Sequence, residues 1–244
     1  MSNERLDKLL ASTGRWSRGE AKRLVREGRV RADGRAAASA EEKYDAETVA
    51  LAVDGEAVPL RKYVYLMLHK PAGVLSATED GRGRTVLDLL PDEYKRRGAF
   101  PVGRLDKDAE GLLLLTDDGA LAHALLAPKK HVDKRYRVRV DGVLDDADRA
   151  AFAAGMTLGD ALRCLPAELE IAAPDTALVT LREGKFHQLK RMFAARGKPV
   201  VYLKRLSMGA LVLDEALAPG EWRELTAEEL ALLQSASCPT GFGR

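Results

Sequence analysis

Cysteine, aromatic residues, long apolar runs and net charge are all in short supply in this sequence, and each shortage closes off a class of protein. Two cysteines, Cys164 and Cys238, cannot build a disulfide framework, and neither stands in a metal-ligand pairing. No apolar run approaches the roughly 20 residues that a membrane-spanning helix needs. The longest, near Leu112–Leu115 and Tyr63–Leu68, are strand-sized, so no membrane partner is expected. The opening residues lead into no apolar segment, so a secretory leader is not expected and a cytoplasmic protein is. Lys and Arg number 39 against 37 Asp and Glu, a net charge of +2, and that total names no partner. What is present is apolar bulk: 46% of 244 residues, enough for one good core or two smaller ones and too much for wholesale disorder.

The charge is unevenly spread. Residues 1–35 hold ten Lys/Arg against five Asp/Glu, and 36–60 hold one against six. Residues 129–139 carry six against one, 141–175 two against eight, 182–205 eight against one, and 208–235 one against six. Blocks of this kind suit either a basic face opposite an acidic one, hence a polyanion partner, or elements that neutralise each other on folding. Charge alone leaves both open.

Local patterns organise the basic N-terminal block. Leu6, Leu9 and Leu10 predict a short amphipathic helix closed near Gly14. Ser17 followed by Glu20 is a capping box opening a second helix, with Ala21, Leu24 and Val25 inward and Gly28 ending it. Arg18, Lys22 and Arg26 then share one solvent flank, and Arg29–Arg35 reads as a strand entering an Asp33-Gly34 turn. The run Arg5-Leu6-Asp7-Lys8-Leu9-Leu10-Ala11, with Ser17-Arg18, Gly28-Arg29-Val30 and Asp33-Gly34, resembles an S4 domain, a small RNA-binding module. That resemblance implies RNA contacts at Arg5, Lys8, Arg18, Lys22, Arg26 and Arg29. The acidic, Ala-rich stretch 36–47 is expected to be a poor core former. Turn signals at Asp54-Gly55 and Pro59 set the expected module and linker as 1–60.

Beyond it, Tyr63–Leu68 reads as a buried strand stopped by Lys70-Pro71-Ala72-Gly73, and Thr85–Leu90 as a brief helix ending at Pro91. A charged loop, Gly103-Arg104-Leu105-Asp106-Lys107-Asp108-Ala109-Glu110-Gly111, runs into the apolar Leu112–Leu115, which places acids beside a core where burial and cations tune them. Asp106, Asp108 and Glu110 mimic the start of a calcium loop. However, leucines fill its middle, and Pro101 and Gly103 deny it an entering helix. A glycosidase-like carboxylate pair, one working carboxylate with basic neighbours, and plain solvated turn acids all remain open on spacing alone.

The full string Gly103–Asp106 with Glu110–Gly119 resembles the signature of RNA pseudouridine synthases, and most closely the branch that acts on small-subunit ribosomal RNA. Four further segments match in order: Lys70-Pro71-x-Gly73, Lys134–Val138, Glu183–Met192 and Leu217–Leu225. His69 stands where Asn is usual, and Ala109 where Thr is common. The resemblance implies an α+β fold, with a small S4 module followed by a catalytic domain over 61–232 built on a mixed, mainly antiparallel sheet flanked by helices. A weakly ordered tail over 233–244 completes the expected layout.

The same resemblance implies uridine-to-pseudouridine isomerisation without a metal or other cofactor, with Asp106 as the essential carboxylate. Arg104 would fill the gap left by an extruded base. Tyr136, sharing a strand face with Val138 while Arg135, Arg137 and Arg139 take the other, would stack on the uracil. Lys190, on a helix expected over His187–Arg196, would pair with Asp106, and Lys70 would contact substrate. His187 is read as structural. Lys129, Lys130, Arg191, Lys204 and Arg205 are candidate phosphate contacts. The expected partner is 16S ribosomal RNA or a small-subunit assembly intermediate, bound by a monomer. Large-subunit (23S) RNA, or a non-catalytic ribosome-assembly factor on the same fold, are the alternatives.

Overall fold

The computed structural model describes residues 3–127 and 132–237, and the chain divides into two units. The first takes the described residues up to Val64 together with Leu90–Ala99; the second takes Tyr65–Leu89 and the chain from Phe100 onward.

In the first unit β1 (Asn3–Arg5) leads into α1 (Leu6–Ser12), which buries Leu6, Leu9 and Leu10 as their spacing predicts. α2 (Arg18–Arg26) opens with the anticipated capping box: Ser17 Oγ accepts from Glu20 N at 3.2 Å, and Glu20 Oε2 accepts from Ser17 N at 2.7 Å. Gly28, at φ +70°, ends it. β2 (Val30–Ala32) turns through Asp33 and Gly34, both left-handed, into β3 (Arg35–Ala36). After β4 (Lys43–Asp45) come β5 (Leu51–Val53) and β6 (Glu56–Val58), giving a four-stranded sheet in the order β3-β2-β5-β6. The two helices and this sheet share one apolar cluster.

The acidic stretch contributes more than its composition suggests. β4 pairs with β1, Ala37 is buried, and Ala40, Tyr44 and Ala46 pack on the core. The small side chains of Ala37, Ala40 and Ala46 fit against the apolar cluster, so low hydrophobicity does not keep the strap out. The unit also extends past the expected boundary at 60 and takes in a later segment with α3 (Asp92–Arg96). Arg97 holds that segment by donating to the carbonyls of Ser12 (2.7 Å), Arg61 (3.1 Å) and Lys62 (3.3 Å). A backbone return of this kind leaves no periodic trace in sequence.

The second unit is built on a nine-stranded sheet. Its elements run β7 (Tyr65–Lys70), a 3-10 turn at Val86–Leu89, β8 (Phe100–Pro101), β9 (Glu110–Thr116), α4 (Gly119–Leu126), β10 (Lys134–Val140) and α5 (Asp146–Ala154). A small hairpin of β11 (Met156–Thr157) and β12 (Arg163–Cys164) precedes β13 (Glu168–Ala173), β14 (Thr176–Leu181) and α6 (Gln188–Ala195). β15 (Val200–Met208), β16 (Leu211–Val212), β17 (Trp222–Glu224) and α7 (Ala227–Ser237) complete it. The strand order is β13-β14-β10-β15-β9-β7-β17, with β16 on β15 and β8 on β9. Among the described strand pairs of this sheet only β9 and β15 run parallel, so the sheet is mixed and mainly antiparallel, as expected. Leu112, Leu113, Leu114 and Leu115 of β9 are completely buried, which fits a central strand covered on both faces.

The tail expected from 233 begins instead within α7, where Leu233 is fully buried. A capping box starts that helix, Thr226 Oγ1 accepting from Glu229 N and Glu229 Oε2 from Thr226 N. Residues 238–244 lie outside the described residues.

Candidate active site

The loop between β8 and β9 carries Arg104 and Asp106, and it is held from beneath. Ser76 Oγ donates to the carbonyl of Leu105 at 2.9 Å and accepts from its N–H at 3.1 Å, fixing the residue between the two charged side chains. Gly73 N donates to the carbonyl of Lys107 at 2.7 Å. Lys70 Nζ donates to the carbonyls of Pro71 (2.9 Å), Lys107 (3.3 Å) and Ala109 (2.8 Å), so all three ammonium protons are used. Lys70 is wholly buried, which corrects its assignment as a substrate contact: it clamps the loop. Burial pushes its pKa down to about 8, against the opposing pull of Asp108, Asp106 and Glu110.

The strand that carries Lys70 is pinned in turn. His69 Nδ1 lies 2.7 Å from the carbonyl of Leu217, and the His69 backbone exchanges hydrogen bonds with Glu221 and Gly220. Arg223 binds Asp214 and both carboxylate oxygens of Glu229, each at 2.7 Å. The terminal Pro-Gly-Glu-Trp-Arg segment thus braces the loop's support rather than the cleft itself.

Above the clamp, Asp106 meets two bases from the start of α6. Its Oδ2 lies 3.1 Å from Lys190 Nζ, and its Oδ1 lies 3.5 Å from His187 Nε2. Lys190 also binds Asp108 at 2.5 Å. Burial works against the charge of Lys190, but its hydrogen bonds to Asp108 and Asp106 outweigh it, and the ammonium pKa is raised. The Lys190 hydrogen bond holds Asp108 below the usual carboxylate range. α6 buries Leu189, Met192 and Phe193 at the predicted spacing, which leaves Lys190 at the edge of the core and aimed at the loop. The helix starts at Gln188 rather than His187, because His187 sits at φ +49°. Gln188, buried, accepts from Lys185 N and donates to Glu183, shaping the turn before the helix.

Arg104, Asp106, Tyr136 and Lys190 line one open cleft of about 460 Å³, together with Leu105, Gly184, Lys185 and His187. Tyr136 is 8% exposed, so it packs in the core and still presents part of its ring to the cleft. Asp106, Asp108 and Glu110, which mimic a calcium loop in sequence, do not converge on one point: Asp106 and Asp108 share Lys190, while Glu110 accepts from the Tyr202 hydroxyl at 2.9 Å. Sequence reasoning missed Ser76, which carries no motif signal, and set aside His187, which the structure brings beside Asp106.

The remaining cations differ in how free they are. Arg5 is bound through two nitrogens to buried Asp7 and also reaches Glu41; Arg18 and Lys22 approach Asp7 only to 3.8 and 3.9 Å. Lys8 pairs with Glu4, and Arg26 is exposed. Arg29 is taken up by Asp54 (2.8 and 2.6 Å) and Glu27 (3.1 Å), an arrangement that opposes its expected role on RNA. Arg191 pairs with Asp160, and Lys204 is half-buried. Arg205 is corrected outright: it is 2% exposed, and its Nε donates to the carbonyl of Leu112 at 2.8 Å. Buried on β15 and turned to the carbonyl of Leu112, it is out of reach of any phosphate. Lys129 and Lys130 lie outside the described residues.

Comparison with known proteins places the chain by similarity. A family model described as RNA pseudouridylate synthase matches residues 64–195, and an S4 domain model matches residues 4–49. A Bacillus subtilis protein described as an uncharacterised RNA pseudouridine synthase is 52% identical over 94% of this chain and 98% of its own. The ribosomal small subunit pseudouridine synthase A of Salmonella typhimurium is 43% identical over 93% of this chain and 98% of its own. The Vibrio cholerae protein of the same description is 41% identical over the same shares. Among solved structures, a pseudouridylate synthase crystal structure superposes with a TM-score of 0.67 at 36% identity, covering 94% of this chain and 99% of that one.

Proposed function

The chain belongs to the RNA pseudouridylate synthase family and carries an S4 domain, and from that premise we propose that it isomerises a uridine of 16S small-subunit ribosomal RNA to pseudouridine. Relatives at 41% and 43% identity that bear the small-subunit description support that choice of RNA. The N1–C1′ bond opens, the uracil turns, and C5 joins C1′. The proton that leaves C5 is matched by one gained at N1, so the exchange is redox-neutral and calls for no cofactor.

The observation that carries the proposal is the convergence of Asp106, Arg104, Tyr136 and Lys190 on one cleft from three separated stretches of chain. Asp106 provides the carboxylate, as nucleophile or as base. Lys190 holds that carboxylate in place, Tyr136 stacks on the extruded uracil, and Arg104 occupies the space the base vacates. The enzyme works as a cytoplasmic monomer, with the S4 domain, chiefly Arg18, Lys22 and Arg26, holding phosphates.

Pseudouridine mapping of both ribosomal RNAs, in deletion cells complemented with wild type or Asp106→Asn, tests this. Wild type should restore one small-subunit site and Asp106→Asn none. A wild type that restores nothing overturns the activity, a fully active Asp106→Asn overturns the role of Asp106, and a site restored only in 23S RNA overturns the choice of substrate.

A further inference from the structure

Phe186 is the most exposed large apolar side chain among the described residues, at 71%. Its position is unusual for so large a ring left in water: it stands two residues before α6, whose own aromatic Phe193 is completely buried. One of its faces is covered. The Phe186 and His187 rings stack with centroids 3.9 Å apart and planes 18° from parallel. Neighbouring side chains ordinarily point apart. Here the left-handed backbone of His187, φ +49°, brings them together. The imidazole beneath lines the cleft and lies 3.5 Å from the Asp106 carboxylate. A line of contacts therefore runs from Asp106 through His187 to a flat, open aromatic face one residue outside the cleft.

An extruded uridine leaves its neighbours in the strand without a stacking partner, and an exposed aromatic ring replaces that partner for any base. We propose that Phe186, backed by His187, is a ledge that stacks the nucleobase adjacent to the target uridine in the same RNA strand. Phe186 is then a substrate-binding residue that sets which neighbour conformation the enzyme accepts. The idea rests on the proposed reading of the cleft as a uridine site.

The test uses the full chain and a synthetic ribosomal RNA segment around the mapped uridine, intact or with an abasic residue on its 5′ or 3′ side. Phe186→Ala should lower kcat/KM on intact RNA by about tenfold, the scale of one base–aromatic stack. Phe186→Tyr, which keeps the ring, should stay within about twofold. An abasic residue on one side should cost wild type the same factor and cost Phe186→Ala nothing further. Equal kcat/KM for wild type and Phe186→Ala overturns the ledge, as does an abasic penalty that persists in full in Phe186→Ala. A wild type that forms no pseudouridine at all marks failure of the underlying reading instead.

Discussion

Three backbone carbonyls converge on the ammonium of Lys70, and the consequences for rate and for stability have opposite signs. With a folded pKa of about 8 against an ordinary 10.5, Lys70 loses its proton in the folded enzyme first. Neutral Lys70 has two protons for three acceptors, so the Asp106 loop loosens. The alkaline limb of kcat should therefore show an apparent pKa of about 8, and Lys70→Met should lack that limb and lose about 10²-fold in kcat, as small misplacements of reacting groups do. Stability goes the other way: between about 8 and 10.5 the unfolded chain binds more protons, so this group's contribution rises with pH. Urea titrations across that range read the sign directly. Lys190 has a different task. Its raised pKa keeps it charged throughout the neutral range, and it spans Asp106 and Asp108. Lys190→Met should lower kcat/KM by roughly 10²-fold, while Lys190→Arg, with donors for both carboxylates, should recover most of the loss. Steady-state kinetics of the pair would contradict this account if Arg and Met behaved alike.

Among the elements, β9 is the one on which the site depends, since the catalytic loop feeds straight into it. Its pairing with β15 is close at Gly111, where an added Cβ would lie 2.2 Å from the carbonyl oxygen and 2.6 Å from the nitrogen of Arg205. Both obstacles are backbone, and Gly111 has φ +106°. Gly111→Ala must then part the strands and strain the backbone, which should cost on the order of 2–4 kcal/mol in chemical denaturation and disarm the loop. An alanine variant with wild-type stability would refute the close approach.

The same scale shows what could be read from sequence. Elements defined by neighbours along the chain were legible: α1 from Leu6, Leu9 and Leu10, α2 from Ser17 and Glu20, and β9 from its leucines. Those fixed by distant partners were not. β1 exists only because β4 lies beside it, and Arg97 ties a later segment to carbonyls some 35 to 85 residues earlier. Arg104, Asp106, Tyr136 and Lys190 were legible through motif resemblance. The clamp by Ser76 and the burial of Lys70 and Arg205 depend on strand order, which no local pattern encodes.

Over the whole molecule, a total charge of +2 conceals cations of unequal availability. Arg29 is held tightly by Asp54 and Glu27, and Arg205 is buried, so neither has much charge to offer a phosphate. Arg18 and Lys22 sit nearly 4 Å from their carboxylate, with side chains 59% and 51% exposed. Ion pairs that loose are worth little and yield readily to a phosphate. RNA affinity should fall steeply with salt, because each neutralised phosphate releases condensed counterions and contributes about 0.7 to 0.9 to the slope of log K against log salt. The double variant Arg18→Ala/Lys22→Ala should therefore flatten that slope by about 1.5, whereas Arg29→Ala should leave it nearly unchanged. Filter binding or anisotropy over a salt series measures both. Equal slopes for wild type and the double variant would remove Arg18 and Lys22 from the RNA face. An effect of Arg29→Ala as large as theirs would show that its pairing with Asp54 gives way to phosphate.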